Sequence, residues 1–298
     1  MSDAKTPASG REQHRRFEQA MLKGIRVLDS HVHLWEAERQ DRLRTRQLAS
    51  HVPDAHLAED FIPVLTEGGG DAVIQVTPTH VGYDNRYSIE AAERFPGQVF
   101  VFGRFDIVAP RPHERLQEWL SLSGAKGIRV MFFNTPIEVS PVSKVVDPFW
   151  EAAEQLQLPI AVYAPAVLNE IVNVLHRHPT LVLLIDHMGL ALHQTPDPFA
   201  GLEQLGALER FSGVRIKISA LCELSREAFP FPDIHVYVRK ALDIFGARRV
   251  MWGSDYPYVA KRCTYDQSLR YIEECEFIET GHLEWILGRT ARNLLQIS

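Results

Sequence analysis

Short apolar runs rich in β-branched residues recur along the chain, and a stretch with helical periodicity follows most of them. Runs of this length and composition are typical of parallel strands that are buried on both faces. Eight such runs are present from residue 25 onward. They span Ile25–His33, Ala72–Thr77, Val99–Phe105, Gly127–Phe132, Pro159–Ala164, Val182–His187, Val214–Ser219 and Val250–Asp255.

The stretches between the runs carry helix signals as well as amphipathic spacing. One opens with Asp147-Pro148, which suits a helix N-terminus, and another stops before Pro96. Eight strands alternating with helices predict a (β/α)₈ TIM barrel, and an open doubly wound sheet is the alternative. The predicted helices span Asp84–Phe95, His113–Leu122, Asp147–Leu158, Val167–His178, Pro198–Phe211, Asp233–Phe245 and Tyr265–Cys275.

Length and composition are consistent with one large domain. The chain has 298 residues, of which 45% are hydrophobic, and a TIM barrel typically needs about 250. We expect residues 25–298 to form a single barrel domain. Residues 1–24 are polar and lack the apolar core of a secretion signal, so we expect a mobile N-terminal arm.

Charge and cysteine content limit the classes of partner. The net charge of −6 gives no basic excess for nucleic acid, and no apolar run reaches the roughly 18 residues of a membrane span. The three cysteines, Cys222, Cys263 and Cys275, form no CxxC pair and no disulfide framework. We therefore expect a cytoplasmic protein that acts on a small molecule, with self-association left open.

Polar side chains stand at the ends of several predicted strands, where a TIM barrel carries its active site. His31 and His33 end the first run, His187 the sixth and Asp255 the eighth. Residues i and i+2 of a strand face the same way, so the two histidines of the His-x-His pair should point together. A lone histidine more often satisfies a backbone group. The combination of four such residues indicates a catalytic centre formed by His31, His33, His187 and Asp255.

Three segments around these residues resemble signatures of the amidohydrolase superfamily. The resemblance covers essentially the whole chain from about Ile25 to Leu295 and is greatest to the branch containing 2-pyrone-4,6-dicarboxylate lactonase and related sugar-acid and muconolactone lactonases. It implies a TIM barrel that hydrolyses a lactone or related carbonyl substrate in aromatic or sugar-acid catabolism. The segments are Asp29-Ser30-His31-Val32-His33-Leu34-Trp35, Ile185-Asp186-His187-Met188-Gly189 and Trp252-Gly253-Ser254-Asp255-Tyr256-Pro257.

The donor set leaves open whether a metal is used. His31, His33 and Asp255 could bind one divalent ion, since imidazole and carboxylate suit zinc. Metal-using members of the family usually add a histidine at the end of the fifth strand, where this chain has Tyr163, and no lysine ends the fourth strand. Tyr163 in that position is similar to the metal-independent lactonases. We therefore expect no required cofactor, with a single zinc ion as the alternative.

Four further residues are candidates for binding substrate. Arg129 lies inside an apolar strand, where it binds an anionic ligand or forms a structural ion pair. Thr77 ends the second strand, and Tyr163 either donates to substrate or fills the lumen. Arg226 lies in a segment that resembles the loop carrying a carboxylate-binding arginine in the dicarboxylate lactonase, although a solvated loop charge is the plain alternative.

Two other positions remain without an assigned role. Lys217 could reach the lumen or pair with Asp255. The stretch after Arg129, from Phe132 to Pro136, lacks the second basic residue of the dicarboxylate pattern, which favours a lactone with one acidic group or a bulkier apolar part.

These residues predict hydrolysis in which Asp255 activates a water, while His31, His33 and His187 stabilise the charge that develops on the carbonyl oxygen. The alternatives on the same scaffold are a zinc-dependent hydrolase or decarboxylase and a sugar-lactone isomerase. An alternative of another class is a catalytically inactive binding barrel, because fold alone does not prove function.

Overall fold

The computed structural model describes residues 24–37, 53–133, 139–165, 167–192, 199 and 202–297. Apart from Gly24, the predicted N-terminal arm lies outside the described residues, as do residues 134–136 of the stretch after Arg129. Within the described ranges, no helix is both long and apolar enough to cross a membrane.

Eight parallel strands form one sheet in which each strand pairs with the next along the chain. The first and last strands also meet, since the Asp255 amide donates to the His31 carbonyl at 2.8 Å and the His33 amide to the Tyr256 carbonyl at 2.9 Å. The predicted TIM barrel is confirmed, and the open sheet is excluded. The strands are β1 Val27–Val32, β2 Gly70–Val76, β3 Val99–Arg104, β4 Ala125–Met131, β5 Ile160–Tyr163, β6 Leu183–Ile185, β7 Val214–Ser219 and β8 Val250–Gly253.

Helices surround the strands, and six of the seven predicted helices are present with bounds shifted by a few residues. The seventh, predicted for Pro198–Phe211, is a 3₁₀ helix over Leu202–Leu208. Gly206 lies inside that segment, and glycine is costly in an α-helix. The α-helices are α1 Ala58–Glu67, α2 Arg86–Arg94, α3 Pro112–Leu120, α4 Asp147–Gln155, α5 Leu168–Arg177, α6 Leu221–Leu224, α7 Pro232–Phe245, α8 Tyr265–Arg270, α9 Thr280–Glu284 and α10 Thr290–Leu295.

Helices α1, α6, α9 and α10 were not predicted. Helix α1 contains Pro63, which interrupts its apolar spacing in the sequence although Phe61 and Leu65 are buried. Helices α9 and α10 are joined by a π-helical turn over Trp285–Arg289.

The apolar core has two parts, and the smaller one closes the barrel from below. The larger part packs the outer faces of the strands against the helices. The smaller part lies inside the barrel and groups Ala291 and Leu295 of α10 with strand residues that include Leu28, Leu184 and Met251. The apolar bottom leaves the carboxyl ends of the strands as the place where polar side chains can gather.

Candidate active site

The four predicted catalytic side chains lie together at the carboxyl ends of the strands. The Nε2 atoms of His31 and His33 are 3.2 Å apart, so the two histidines do point together. Asp255 Oδ1 lies 3.2 Å from His33 Nε2 and 3.5 Å from His31 Nε2. The rings of His31 and His187 have centroids 4.8 Å apart. None of the four residues is more than 3% exposed, so their interactions are weakly screened by water.

His33 is held in one tautomer by the neighbouring strand. Its Nδ1 lies 2.7 Å from the Val76 carbonyl oxygen, which can only accept, so Nδ1 carries the proton and donates. Burial, with Arg129 adding to it, lowers the pKa of His33 to about 3. His33 is therefore neutral, and its Nε2 presents a lone pair to Asp255 and His31.

His187 is set by a turn with unusual backbone angles. After β6 the chain adopts left-handed conformations at His187 (φ 53°) and Met188 (φ 56°), followed by Gly189 at φ 71°. Such a conformation costs roughly 1–3 kcal/mol for each non-glycine residue and often occurs at functional sites. The turn brings His187 Nδ1 to 2.9 Å from Ser219 Oγ at the end of β7, which fixes the imidazole ring.

Asp255 also follows its strand in a left-handed conformation, with φ 63°. Its Oδ1 is buried between the two imidazoles, while no hydrogen bond or ion pair among the described residues involves Oδ2. Burial raises the pKa of Asp255 to about 6, despite the opposing effect of His187. A carboxylate tuned in this way suits a general base that works near neutral pH.

Beneath the histidines lies a group of buried charges centred on Asp186, to which the sequence analysis assigned no role. Asp186 Oδ2 accepts from Arg129 Nε at 3.0 Å, and Asp186 Oδ1 lies 3.2 Å from Lys217 Nζ. Lys217 therefore pairs with Asp186 and not with Asp255. Burial favours protonation of Asp186, but Lys217 and Arg129 hold its pKa well below the usual range. We refer to Arg129, Asp186 and Lys217 as the charged triad; two cations share one anion, so the triad carries one net positive charge.

Tyr163 lies beside this triad. Its ring meets the His187 ring edge-on with centroids 5.4 Å apart, and the Arg129 guanidinium lies 5.9 Å from its centre. The Tyr163 hydroxyl accepts from the Leu192 amide at 3.3 Å, which leaves its own proton available. Both predicted roles, donor to substrate and lumen-filling ring, are compatible with this position.

The other two predicted substrate-binding residues are Thr77, which is buried, and Arg226, which is exposed. Thr77 is completely buried, and its hydroxyl is 2.9 Å from that of Ser88 on α2. Arg226 is exposed after α6, and its backbone amide donates to Asp233 Oδ2 at 2.7 Å. No side-chain hydrogen bond or ion pair of Arg226 occurs within the described residues, so its role with a carboxylate stays a prediction.

An aromatic wall formed by Trp35, His80 and Tyr258 flanks His33, and sequence reasoning did not identify it. The Tyr258 ring meets His33 edge-on at 4.9 Å and stacks on Trp35 at 6.2 Å. The Tyr258 hydroxyl lies 3.3 Å from His80 Nδ1. The three aromatic residues come from the loops after β1, β2 and β8, so only the closed barrel brings them together.

The spacing of the donor atoms fits a zinc ion. Tetrahedral zinc with Zn–N bonds near 2.0–2.1 Å requires ligand atoms about 3.4 Å apart. The three separations among His31 Nε2, His33 Nε2 and Asp255 Oδ1 are 3.2, 3.2 and 3.5 Å. His33 also has its Nδ1 on a backbone carbonyl, as metal-bound histidines commonly do. A looser set, His31, His187 and Asp255, has its ligand atoms within 4.8 Å of one another.

Comparison with known proteins agrees with this architecture. The chain is 26% identical to an L-fucono-1,5-lactonase of Burkholderia ambifaria over 77% of its own length and 80% of the relative. A zinc-bound amidohydrolase from Burkholderia multivorans shares the fold with a TM-score of 0.78 and 22% identity, covering 92% of this chain and all of that one.

A probable 2-pyrone-4,6-dicarboxylic acid hydrolase from Acinetobacter baumannii, solved with citric acid bound, has a TM-score of 0.75 and 18% identity over the same shares. The resemblance found in the three sequence segments is thus confirmed. A family model described as amidohydrolase matches residues 28–297, which is most of the chain. The chain therefore belongs to the amidohydrolase family.

Proposed function

We propose that this protein opens a small acidic lactone by adding water to its carbonyl carbon, with Asp255 as the general base. The observation that carries the proposal is the position of the Asp255 carboxylate, buried against two imidazoles with its pKa raised to about 6. The lactonase activity named for the Burkholderia ambifaria relative supports the substrate class.

Asp255 Oδ2 is the atom that takes the proton from water. Oδ1 lies 3.2–3.5 Å from the Nε2 atoms of His33 and His31, whereas no hydrogen bond or ion pair within the described residues involves Oδ2. As the proton moves to Oδ2, the water oxygen bonds to the lactone carbonyl carbon and the carbonyl π electrons move to oxygen. General-base assistance of this kind contributes roughly 10²–10⁴-fold to the rate.

His31 and His187 stabilise the negative charge on the former carbonyl oxygen. Their rings lie side by side at the mouth, and the charged triad beneath His31 adds a positive field. Preorganised donors of this type are worth about 3 kcal/mol each. Collapse of the intermediate breaks the ring C–O bond, and the proton held by Asp255 passes to the leaving oxygen to give the hydroxy acid.

Arg129 gives the site its preference for an acidic substrate. Its Nε is committed to Asp186, while its two Nη groups make no hydrogen bond to any described residue. The N–H groups on this edge of the guanidinium are therefore available to donate two parallel hydrogen bonds to a carboxylate. Tyr163, next to Arg129, donates its hydroxyl proton to the same substrate.

A second candidate is metal-assisted hydrolysis, which the 3.2–3.5 Å donor spacing favours. His31, His33 and Asp255 would hold the ion, and a divalent ion there would supply Lewis-acid polarisation of the carbonyl.

The deciding experiment is lactonase turnover on a panel of acidic and neutral lactones, with protein whose metal content is measured and then removed by a chelator. Turnover that survives metal removal, with kcat/KM higher for acidic lactones, supports the proposal. Turnover that disappears and returns with zinc replaces it by the second candidate. Binding of lactones with no turnover under either condition would mean a binding barrel.

A further inference from the structure

Lys217 occupies an unusual position for a lysine. It lies on β7 inside the barrel with no exposed surface, and its ammonium points up the lumen. Nζ is 3.2 Å from Asp186 Oδ1 and 3.3 Å from His31 Nδ1, and it lies 5.4 Å from the centre of the Phe102 ring. A buried lysine is costly unless it is paired. The ion pair with Asp186 explains its burial, but the contact with His31 needs a separate explanation.

The contact determines which nitrogen of His31 carries the proton. An ammonium group can only donate hydrogen bonds, so His31 Nδ1 must accept from Lys217. Asp186 Oδ1 lies 3.4 Å from the same nitrogen but makes no hydrogen bond with it. With Nδ1 as the acceptor, a neutral His31 carries its proton on Nε2.

The surroundings of Nε2 agree with this assignment. His31 Nε2 is 3.2 Å from His33 Nε2, and the Val76 carbonyl has already made that His33 nitrogen an acceptor. Asp255 Oδ1, 3.5 Å away, is also an acceptor. An Nε2–H on His31 therefore meets acceptors on both sides, whereas a lone pair there would face two other lone pairs.

We propose that Lys217 is a positioning residue that keeps His31 as an Nε2–H donor and thereby weakens zinc binding at the active centre. A zinc ligand must offer a lone pair, and His31 could offer one at Nε2 only by placing its proton on Nδ1, against the Lys217 ammonium. The net positive charge of the triad repels a dication as well. The inference rests on the proposed hydrolysis, for which it explains how His31 donates to the developing oxyanion.

The test uses Lys217→Met, because methionine is similar in length but has no donor and no charge. In this variant Asp186 still pairs with Arg129, and His31 Nδ1 becomes free to donate to Asp186 Oδ1. The matched control is Arg215→Met, which removes a half-buried cation two residues earlier on β7; within the described residues, its guanidinium donates to the Ser212 and Val214 carbonyls. Lys217→Gln keeps a donor without the charge.

Two measurements test the inference without relying on catalytic activity. Nitrogen-15 NMR of histidine-labelled protein reports the tautomer of His31, and competition with a chromophoric chelator gives the zinc dissociation constant. We expect the Nε2–H tautomer in the wild type and in Arg215→Met, and the Nδ1–H tautomer in Lys217→Met. We expect Lys217→Met to bind zinc about tenfold or more tightly, because hydrogen-bond partners of metal-bound histidines change metal affinity on roughly that scale and this partner opposes the ligating tautomer. In metal-free Lys217→Met, kcat should fall roughly 10²-fold with little change in KM, because an oxyanion donor is lost.

The outcomes separate this inference from the proposed function. An Nδ1–H tautomer in the wild type overturns the inference, and this measurement is valid even if no Lys217 variant folds. Equal zinc affinities in Lys217→Met and Arg215→Met also overturn it. Partial retention of the wild-type tautomer in Lys217→Gln supports the inference, because glutamine keeps a hydrogen-bond donor at this position but not the positive charge. A wild-type enzyme with the Nε2–H tautomer but no lactonase activity would remove the proposed function and leave the inference standing.

Discussion

Arg129 Nε donates a 3.0 Å hydrogen bond to Asp186 Oδ2, which joins the fourth strand to the residue directly after the sixth. Of the two interpretations of Arg129 offered by the sequence, the structural ion pair is present, and binding of an anionic ligand stays a prediction. The ion pair uses one edge of the guanidinium, and the remaining Nη groups have no partner among the described residues. A single arginine can thus be structural through Nε and bind substrate through Nη.

Arg129→Met should raise KM for acidic lactones by roughly 10–100-fold, which corresponds to the loss of one or two charged hydrogen bonds. KM for neutral lactones should change much less. The measurement is steady-state kinetics on an acidic and a neutral lactone of the same ring size. Lys126→Met, on the same strand, is the control and should affect neither. Equal increases for both substrates would make Arg129 purely structural.

Asp255→Asn should reduce kcat by roughly 10²–10⁴-fold, because the amide cannot take a proton from water. The side chain keeps its shape, so far-UV circular dichroism and the melting temperature should show a folded barrel. Asp266→Asn, which alters an exposed carboxylate on α8, is the control and should retain full activity. Near-normal turnover in Asp255→Asn would remove this residue from the general-base role.

The rate should fall on the acid side of about pH 6. Burial raises the pKa of Asp255 to about 6, so the base is protonated below that pH and its function is lost as pH falls. The measurement is kcat/KM against pH, and the residual activity of Asp255→Asn should lack this acid limb. An acid limb that persists in the variant would assign the titration to another group.

Protonation of the two buried carboxyl groups, Asp29 and Asp255, should not unfold the protein and so should not itself cause the loss of activity below about pH 6. Burial also raises the pKa of Asp29 to about 6, and both groups start from 3.8. A raised pKa in the folded state means that their stabilising contribution is present at low pH and is lost as pH rises through about 6. Thermal melts across the same range check that the protein stays folded where activity declines.

Ser219→Ala should lower kcat about tenfold and leave KM nearly unchanged, because His187 loses the 2.9 Å hydrogen bond that orients its ring. Ser219→Thr restores the hydroxyl and should recover part of the rate. The control is Ser268→Ala, another buried serine, whose hydroxyl donates to the Tyr265 carbonyl away from the site. A melting temperature that falls without any change in kcat would show that Ser219 only stabilises the fold.

Gly253→Ala should reduce both stability and kcat. A Cβ at this position would lie 2.9 Å from the Cβ and backbone nitrogen of His31, so β1 and β8 would have to separate. Overpacking of this kind costs about 1–3 kcal/mol. Chemical denaturation and kinetics give the two effects, and Gly281→Ala, where nothing lies within 4 Å, is the control. An unchanged kcat would show that His31 tolerates the displacement.

The strands and the four central residues could be predicted because their signals are local. An apolar run identifies a strand, and a polar residue at its end identifies a position at the mouth of the barrel. The same reasoning did not identify α1, where Pro63 interrupts the apolar spacing, or the 3₁₀ helix in place of the helix predicted for Pro198–Phe211.

The role of Lys217 could not be predicted, because its partners come from other strands. The sequence shows a lysine within an apolar run and an aspartate before His187, and both were visible signals of a buried ion pair. Which carboxylate the lysine meets depends on the stagger of the strands in the closed barrel. The His31 tautomer depends on the same three-dimensional contact, 186 residues away along the chain.

The hydrogen bond from the Asp255 amide to the His31 carbonyl connects the last strand to the first. During synthesis, a nascent chain that has emerged only through β7 already contains His31, His33 and His187 but still lacks Asp255. On the proposed mechanism, hydrolytic capacity therefore appears only when the ribosome has released nearly the whole polypeptide and β8 has docked. The onset of turnover during synthesis would report when β8 pairs with β1 and the barrel closes.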